Sequence, residues 1–132
     1  MRYKRPDYKN ANSIVEAAKR ELQFTLSLKP TDEAAATIVR NIYECFRMLG
    51  DALLVARGIK SEDHIAPINE LLKLKVNTTR PIYLIESLRT IRHSINYYGY
   101  QPKKTEVEDA IGIAKSCFFP LFEKVKEIIT EA

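Results

Sequence analysis

Apolar residues recur at intervals of four and three along most of this chain. The cleanest run is Val107, Ile111, Ala114, Phe118, Leu121, Val125 and Ile128. A second is Ile38, Ile42, Cys45, Leu49, Ala52 and Ala56, widened by Val39, Phe46 and Leu53. That spacing gathers side chains on one face of an α-helix and scatters them over both faces of a strand. A chain so patterned buries its apolar surface by packing helix on helix. No segment reads as a strand, and no repeat or low-complexity tract interrupts the pattern. The expected fold is therefore all-α, an antiparallel up-and-down bundle of about five helices joined by short connections.

Punctuation residues divide the chain. A first helix is expected from about Asn10 to Leu28, with Ile14, Val15, Ala18, Leu22 and Leu26 facing inward. Lys29-Pro30 ends it, because proline disfavours helical backbone in the residue before it. Thr31 caps the second helix, and Asp32 and Glu33 suit the positive end of its dipole. Its stripe is wide enough for a central position, and Arg57-Gly58 stops it. Ser61 is expected to cap a short third helix carrying Ile65, Ile68, Leu71 and Leu72. Pro81 suits the first turn of a fourth helix, on which Leu84, Leu88, Ile91, Ile95 and Tyr98 form the apolar stripe. Gly99 fits a left-handed C-terminal stop. Thr105 and Glu108 have capping-box spacing at the start of the fifth helix. Pro120 should kink that helix, or divide it near Ser116–Pro120.

At 132 residues the chain has the length of one domain, 1–132, large enough to bury a core without staples. Its net charge of +4 permits a polyanionic partner without demanding one. The charge is uneven. Residues 76–104 hold Arg80, Arg89, Arg92, Lys103 and Lys104 against one acid, Glu86. Residues 1–9 add Arg2, Lys4, Arg5 and Lys9, interleaved with Tyr3 and Tyr8. Such an arm can grip nucleic acid, but the plainer expectation is a loosely ordered basic terminus.

Cys45 and Cys117 fall on apolar stripes and outside any Cys-x-x-Cys pair, so zinc is not expected. Buried reduced thiols in a cytoplasmic protein are the default, with a disulfide between them left open by spacing. The start of the chain lacks the apolar core of a signal peptide, and no apolar run is long enough to span a membrane. The two histidines, His64 and His93, lie far apart with no ligand-spaced acids, so neither metal nor another cofactor is expected. No glycine-rich phosphate loop, Ser-His-Asp arrangement or dinucleotide fingerprint is present.

The segment 89–99, Arg-Thr-Ile-Arg-His-Ser-Ile-Asn-Tyr-Tyr-Gly, carries the densest functional chemistry. Arg89, Arg92 and Asn96 share one stripe of the fourth helix. His93 lies beside them, with Tyr97 one turn on. Guanidinium forks bind phosphate bidentately, and imidazole titrates near neutral pH. A plain solvated helix face is the alternative reading of the same residues.

The run Arg92-His93 followed by Asn96-Tyr97 resembles the motif of the HEPN superfamily, small helical proteins many of which are ribonucleases. Their signature is Arg, often followed by a polar residue, then His after four to six residues. Arg92 matches the Arg and His93 the polar follower. Tyr97 stands where the His usually is, as in the Arg-x4-Tyr branches of the family. Ala34 through Gly58, with His64 soon after, looks like that family's long helix and its exit. The resemblance spans Ala11 to Ile129.

The resemblance implies a toxin-type, metal-independent endoribonuclease acting as a homodimer, whose paired helices build one cleft. It gives Arg92 the stabilisation of a charged phosphorane. His93 and Tyr97 are then the candidates for proton handling or hydrogen bonding, with Arg89 and Asn96 binding RNA. It equally accommodates a non-catalytic module that binds RNA or nucleotide, or pairs with a minimal nucleotidyltransferase as antitoxin.

Overall fold

The computed structural model describes residues 2–60, 63 and 65–130. Helix α1 spans Tyr8–Ser27 and α2 spans Asp32–Ala56. Helix α3 spans Ile65–Leu72, α4 spans Ile85–Tyr98 and α5 spans Lys104–Thr130. The all-α bundle is the observed architecture. One feature of the backbone departs from the expected absence of strands. Residues Arg2–Tyr3 (β1) pair antiparallel with Ile59–Lys60 (β2) in a two-residue ribbon.

Local chemistry sets the helix ends. Helix α1 begins before Asn10, because the Asp7 carboxylate accepts a hydrogen bond from the Asn10 N–H at 2.9 Å. Thr31 caps α2 as its sequence indicates, accepting from the Ala34 N–H at 3.3 Å. Gly58, at φ +76°, and Gly99, at φ +62°, make the two left-handed stops. The expected Ser61 cap lies outside the described residues. Asp63 does that work, accepting from the N–H groups of Ile65 and Ala66 at 3.1 and 2.9 Å. Pro81 precedes a 3-10 turn over Ile82–Leu84 that leads into α4.

Two further expectations are corrected at α5. The Thr105–Glu108 box is displaced by Glu106, which accepts from the Lys103 N–H at 2.8 Å and from the Tyr100 hydroxyl at 2.5 Å. The loop before the helix thus supplies a better-placed donor pair. Pro120 does not divide the helix, which runs unbroken from Lys104 to Thr130. Cys117, Phe118, Leu121 and Phe122 on either side of it are buried, and their packing holds the turn that lacks one backbone bond.

The four long helices alternate in direction. Glu16 pairs with Lys126 and Lys19 lies over the Phe122 ring, so α1 and α5 run antiparallel. Arg40 meets Asn96 and Tyr43 meets Arg92, so α2 and α4 do too. Helix α2 is central and contacts α1, α3, α4 and α5. Its Phe46 meets Phe118 of α5 edge to face at 5.8 Å, both fully buried. Each such side chain contributes about 1.5–3 kcal/mol by leaving water. Helix α3 rests on α2 at Gly50, where a Cβ would stand 2.0 Å from the Pro67 carbonyl oxygen. The connection before α4 is pinned to α5. There the Ser116 hydroxyl accepts from the Arg80 N–H at 2.7 Å, and the Arg80 guanidinium lies against Gly112.

Both cysteines are free and buried, which closes the disulfide alternative. Burial, with Glu21 and Glu44 nearby, pushes the Cys45 thiol up to about 12. Burial raises Cys117 as well. At pH 8 neither thiol should react with iodoacetamide until the protein is unfolded, as mass spectrometry with and without urea would read.

Gly50→Ala should lower stability in urea by about 1–3 kcal/mol, because its Cβ meets backbone that cannot step aside. Gly112→Ala should stay within about 0.5 kcal/mol of wild type or gain stability. There the obstacle is the far end of a flexible arginine, and alanine is the better helix former.

Candidate nucleic-acid interface

The face of interest is the seam between α4 and α2, where it opens to solvent. Its floor is Tyr43 of α2, fully buried. Burial raises the Tyr43 phenol above its ordinary value, while Arg92 and Arg89 pull it back down. Arg92 crosses the seam, its guanidinium carbon 5.4 Å from the centre of the Tyr43 ring. That cation–π contact orients the guanidinium without consuming its charge. Among the described residues no carboxylate pairs with Arg92.

The other predicted residues are placed differently. Arg89 donates to Glu86 at 3.0 Å, so part of its charge is already neutralised within α4. Asn96 accepts a long bond from Arg40 at 3.4 Å, which ties it to α2. His93 is exposed and its ring lies 4.6 Å from that of Tyr97. The Tyr98 ring stands 5.9 Å from that of His93, edge to face. Tyr97 is 70% exposed and Tyr98 77%. Tyr98 therefore leaves the apolar stripe assigned to it. Ile85 takes an inward position in the first turn of α4, buried with Leu88 and Ile95.

The structure thus brings the predicted residues together as two stripes. Arg89, Arg92 and Asn96 face the α2 seam, and His93 with Tyr97 faces outward. Arg92 and Tyr97 are five positions apart on one helix, hence about 140° apart around its axis. They do not converge within one chain in the way that i and i+4 partners do.

Three contributors on α2 escaped the reading of the sequence. Arg40 adds a cation beside Asn96 and, among the described residues, makes no ion pair. Tyr43 supplies the floor. Arg47 is held by Glu44 and Asp51, and the Glu44 bond leads the causes that keep it protonated. The available signal was the polar stripe Arg40, Glu44, Arg47, Asp51, which borders the apolar face of α2 at helical spacing.

Among the described residues no group of three or more His, Cys, Asp or Glu is arranged to hold a metal ion. His64, set aside as a site residue on sequence grounds, lies outside the described residues. No described helix is long and apolar enough to cross a membrane. Comparison of the chain with protein-family models, with curated proteins and with solved structures finds no match.

Proposed function

We propose that the protein acts on RNA through α4, as a metal-independent endoribonuclease of the HEPN kind. The observation that carries this reading is Arg92. It is a permanent cation, oriented by Tyr43 and free of a carboxylate partner among the described residues, on a helix whose outward stripe carries an exposed imidazole–phenol pair. In the reaction the RNA 2′-oxygen attacks the adjacent phosphorus and the bond to the 5′-oxygen breaks. A proton leaves the 2′-hydroxyl and another reaches the departing oxygen. The products are a 2′,3′-cyclic phosphate and a 5′-hydroxyl. Arg92 offsets the charge of the phosphorane, with Arg40 and Arg89 adding to the field. His93 is the proton carrier in this reading. The Tyr97 phenol donates a hydrogen bond to phosphate.

The split between the two stripes supports a homodimer. Two copies meeting along α4 would set Arg92 of one beside His93 and Tyr97 of the other, building the cleft that one chain lacks. A cytoplasmic setting, where thiols stay reduced, goes with this reading.

The same split favours a second reading. A single chain with Asn96 tied to Arg40 can hold a phosphate without cutting beside it. The protein is then an RNA- or nucleotide-binding module, with a small nucleotidyltransferase as its partner and antitoxin.

Light scattering coupled to size exclusion should give twice the chain mass at tens of micromolar; a monomer there removes the composite cleft. Arg92→Ala should weaken single-stranded RNA binding more than Lys103→Ala and reduce the salt slope by about one. In EDTA, Arg92→Ala should abolish cleavage and Tyr97→Phe should slow it at least about tenfold. His93→Ala should be a worse lesion than Tyr97→Phe. Binding that depends on Arg92 with no cleavage of varied RNAs would select the second reading.

A further inference from the structure

The basic N-terminal arm is not used by the α4 face, and the structure gives it a place of its own. It arches over the exit of α2. The Lys4 N–H donates to the Gly58 carbonyl, and the Asp7 N–H donates to the Val55 carbonyl at 3.2 Å. The ribbon of β1 with β2 fixes the arm beyond these bonds. Gly58 makes the crossing feasible, since a Cβ there would stand 2.1 Å from the Lys4 carbonyl oxygen. Between the arm, α1 and α2 lies a cleft of about 380 Å3.

The walls of this cleft differ in character. Ile14, Val55 and Ile59 give it an apolar side, and Lys4, Arg5 and Lys60 a cationic rim. Among the described residues none of these three cations makes an ion pair. The acids in the lining are otherwise engaged: Asp7 caps α1 and Asp51 holds Arg47. Lys4 and Arg5 from the arm and Lys60 from beyond the exit of α2 thus bring positive charge from two separate segments to one rim, three cations against the two acids of the lining.

We propose that this cleft binds a small phosphate ester with an apolar body, about the size of a mononucleotide. The phosphate sits against Lys4, Arg5 and Lys60, where charge-assisted hydrogen bonds are strongest. The body lies on Ile14, Val55 and Ile59, within reach of the Asn10 amide. The volume is at the lower end of the range for small-molecule sites, which suits one nucleotide rather than a dinucleotide. The proposal stands apart from the RNA reading, because it shares no residue with the α4 face.

Calorimetric titration of the full chain at low salt tests it, with AMP, adenosine and inorganic phosphate as probes. AMP should bind with a Kd below about 1 mM, and adenosine and phosphate each at least about fivefold more weakly. Arg5→Ala and Lys60→Ala, both at exposed positions, should each weaken AMP at least about fivefold. Gly58→Ala keeps every charge but displaces the arm, and should weaken AMP as well. Arg92→Ala should leave AMP binding unchanged. Circular dichroism would establish that the variants fold; should Gly58→Ala fail, the two charge variants decide. Three results would overturn the proposal: no AMP binding at about 10 mM, a concentration that would nearly saturate a site of the expected affinity; inorganic phosphate binding as tightly as AMP; or AMP binding that Arg92→Ala removes and the arm variants do not.

Discussion

The burial of α2 is the constraint on which the remaining structure depends. Ile38, Ile42, Phe46, Leu49 and Leu53 lie within it fully or almost fully excluded from water, and every other long helix leans on it. A helix covered on so many sides can expose only a narrow polar stripe. Here that stripe is Arg40, Glu44, Arg47 and Asp51. The stripe runs from the α4 seam at Arg40 to the arm cleft at Asp51, so both candidate sites border the same element. Arg47, clamped between Glu44 and Asp51, removes its own charge from either site.

Close packing also explains why particular small residues stand where they do. Gly50 lets α3 approach within reach of its backbone, and Gly58 lets the arm cross. Helix α2 does not itself require Gly50, whereas Gly58 also ends α2 through its left-handed backbone. Each serves a contact between segments distant in sequence. Gly99 differs, since it serves only its own helix end and has open space around its Cβ position.

The candidate RNA face draws its interest from what its charges are not doing. Surface arginines usually end in weak ion pairs that contribute little. Arg89 does so with Glu86. Arg92 instead lies over a buried aromatic ring, which orients it and leaves its charge available. The neighbouring His93 and Tyr97 rings face the other way. In a single copy Arg92 and the His93–Tyr97 pair therefore lie on separate stripes, and under the proposed RNA reading a second copy would reunite them.

Much of the architecture was legible in the sequence because it rests on local rules. The 3.6-residue periodicity marked five helices, and Thr31, Gly58 and Gly99 marked ends that depend on their own backbone. Arg92, His93 and Tyr97 were legible as a group because neighbours on a helix stay neighbours. Where competing local partners existed, the preceding loop chose between them, as with Glu106, bonded to Lys103 and Tyr100, over the Thr105–Glu108 box, while packing carries α5 through Pro120. Tyr43 under Arg92, Arg40 beside Asn96, the outward turn of Tyr98 and the ribbon of Arg2–Tyr3 with Ile59–Lys60 were decided by tertiary structure alone. Each joins or separates residues according to how whole helices are rotated and stacked. Periodicity shows that a face is buried, but the neighbour that buries it is settled only when all the faces pack at once.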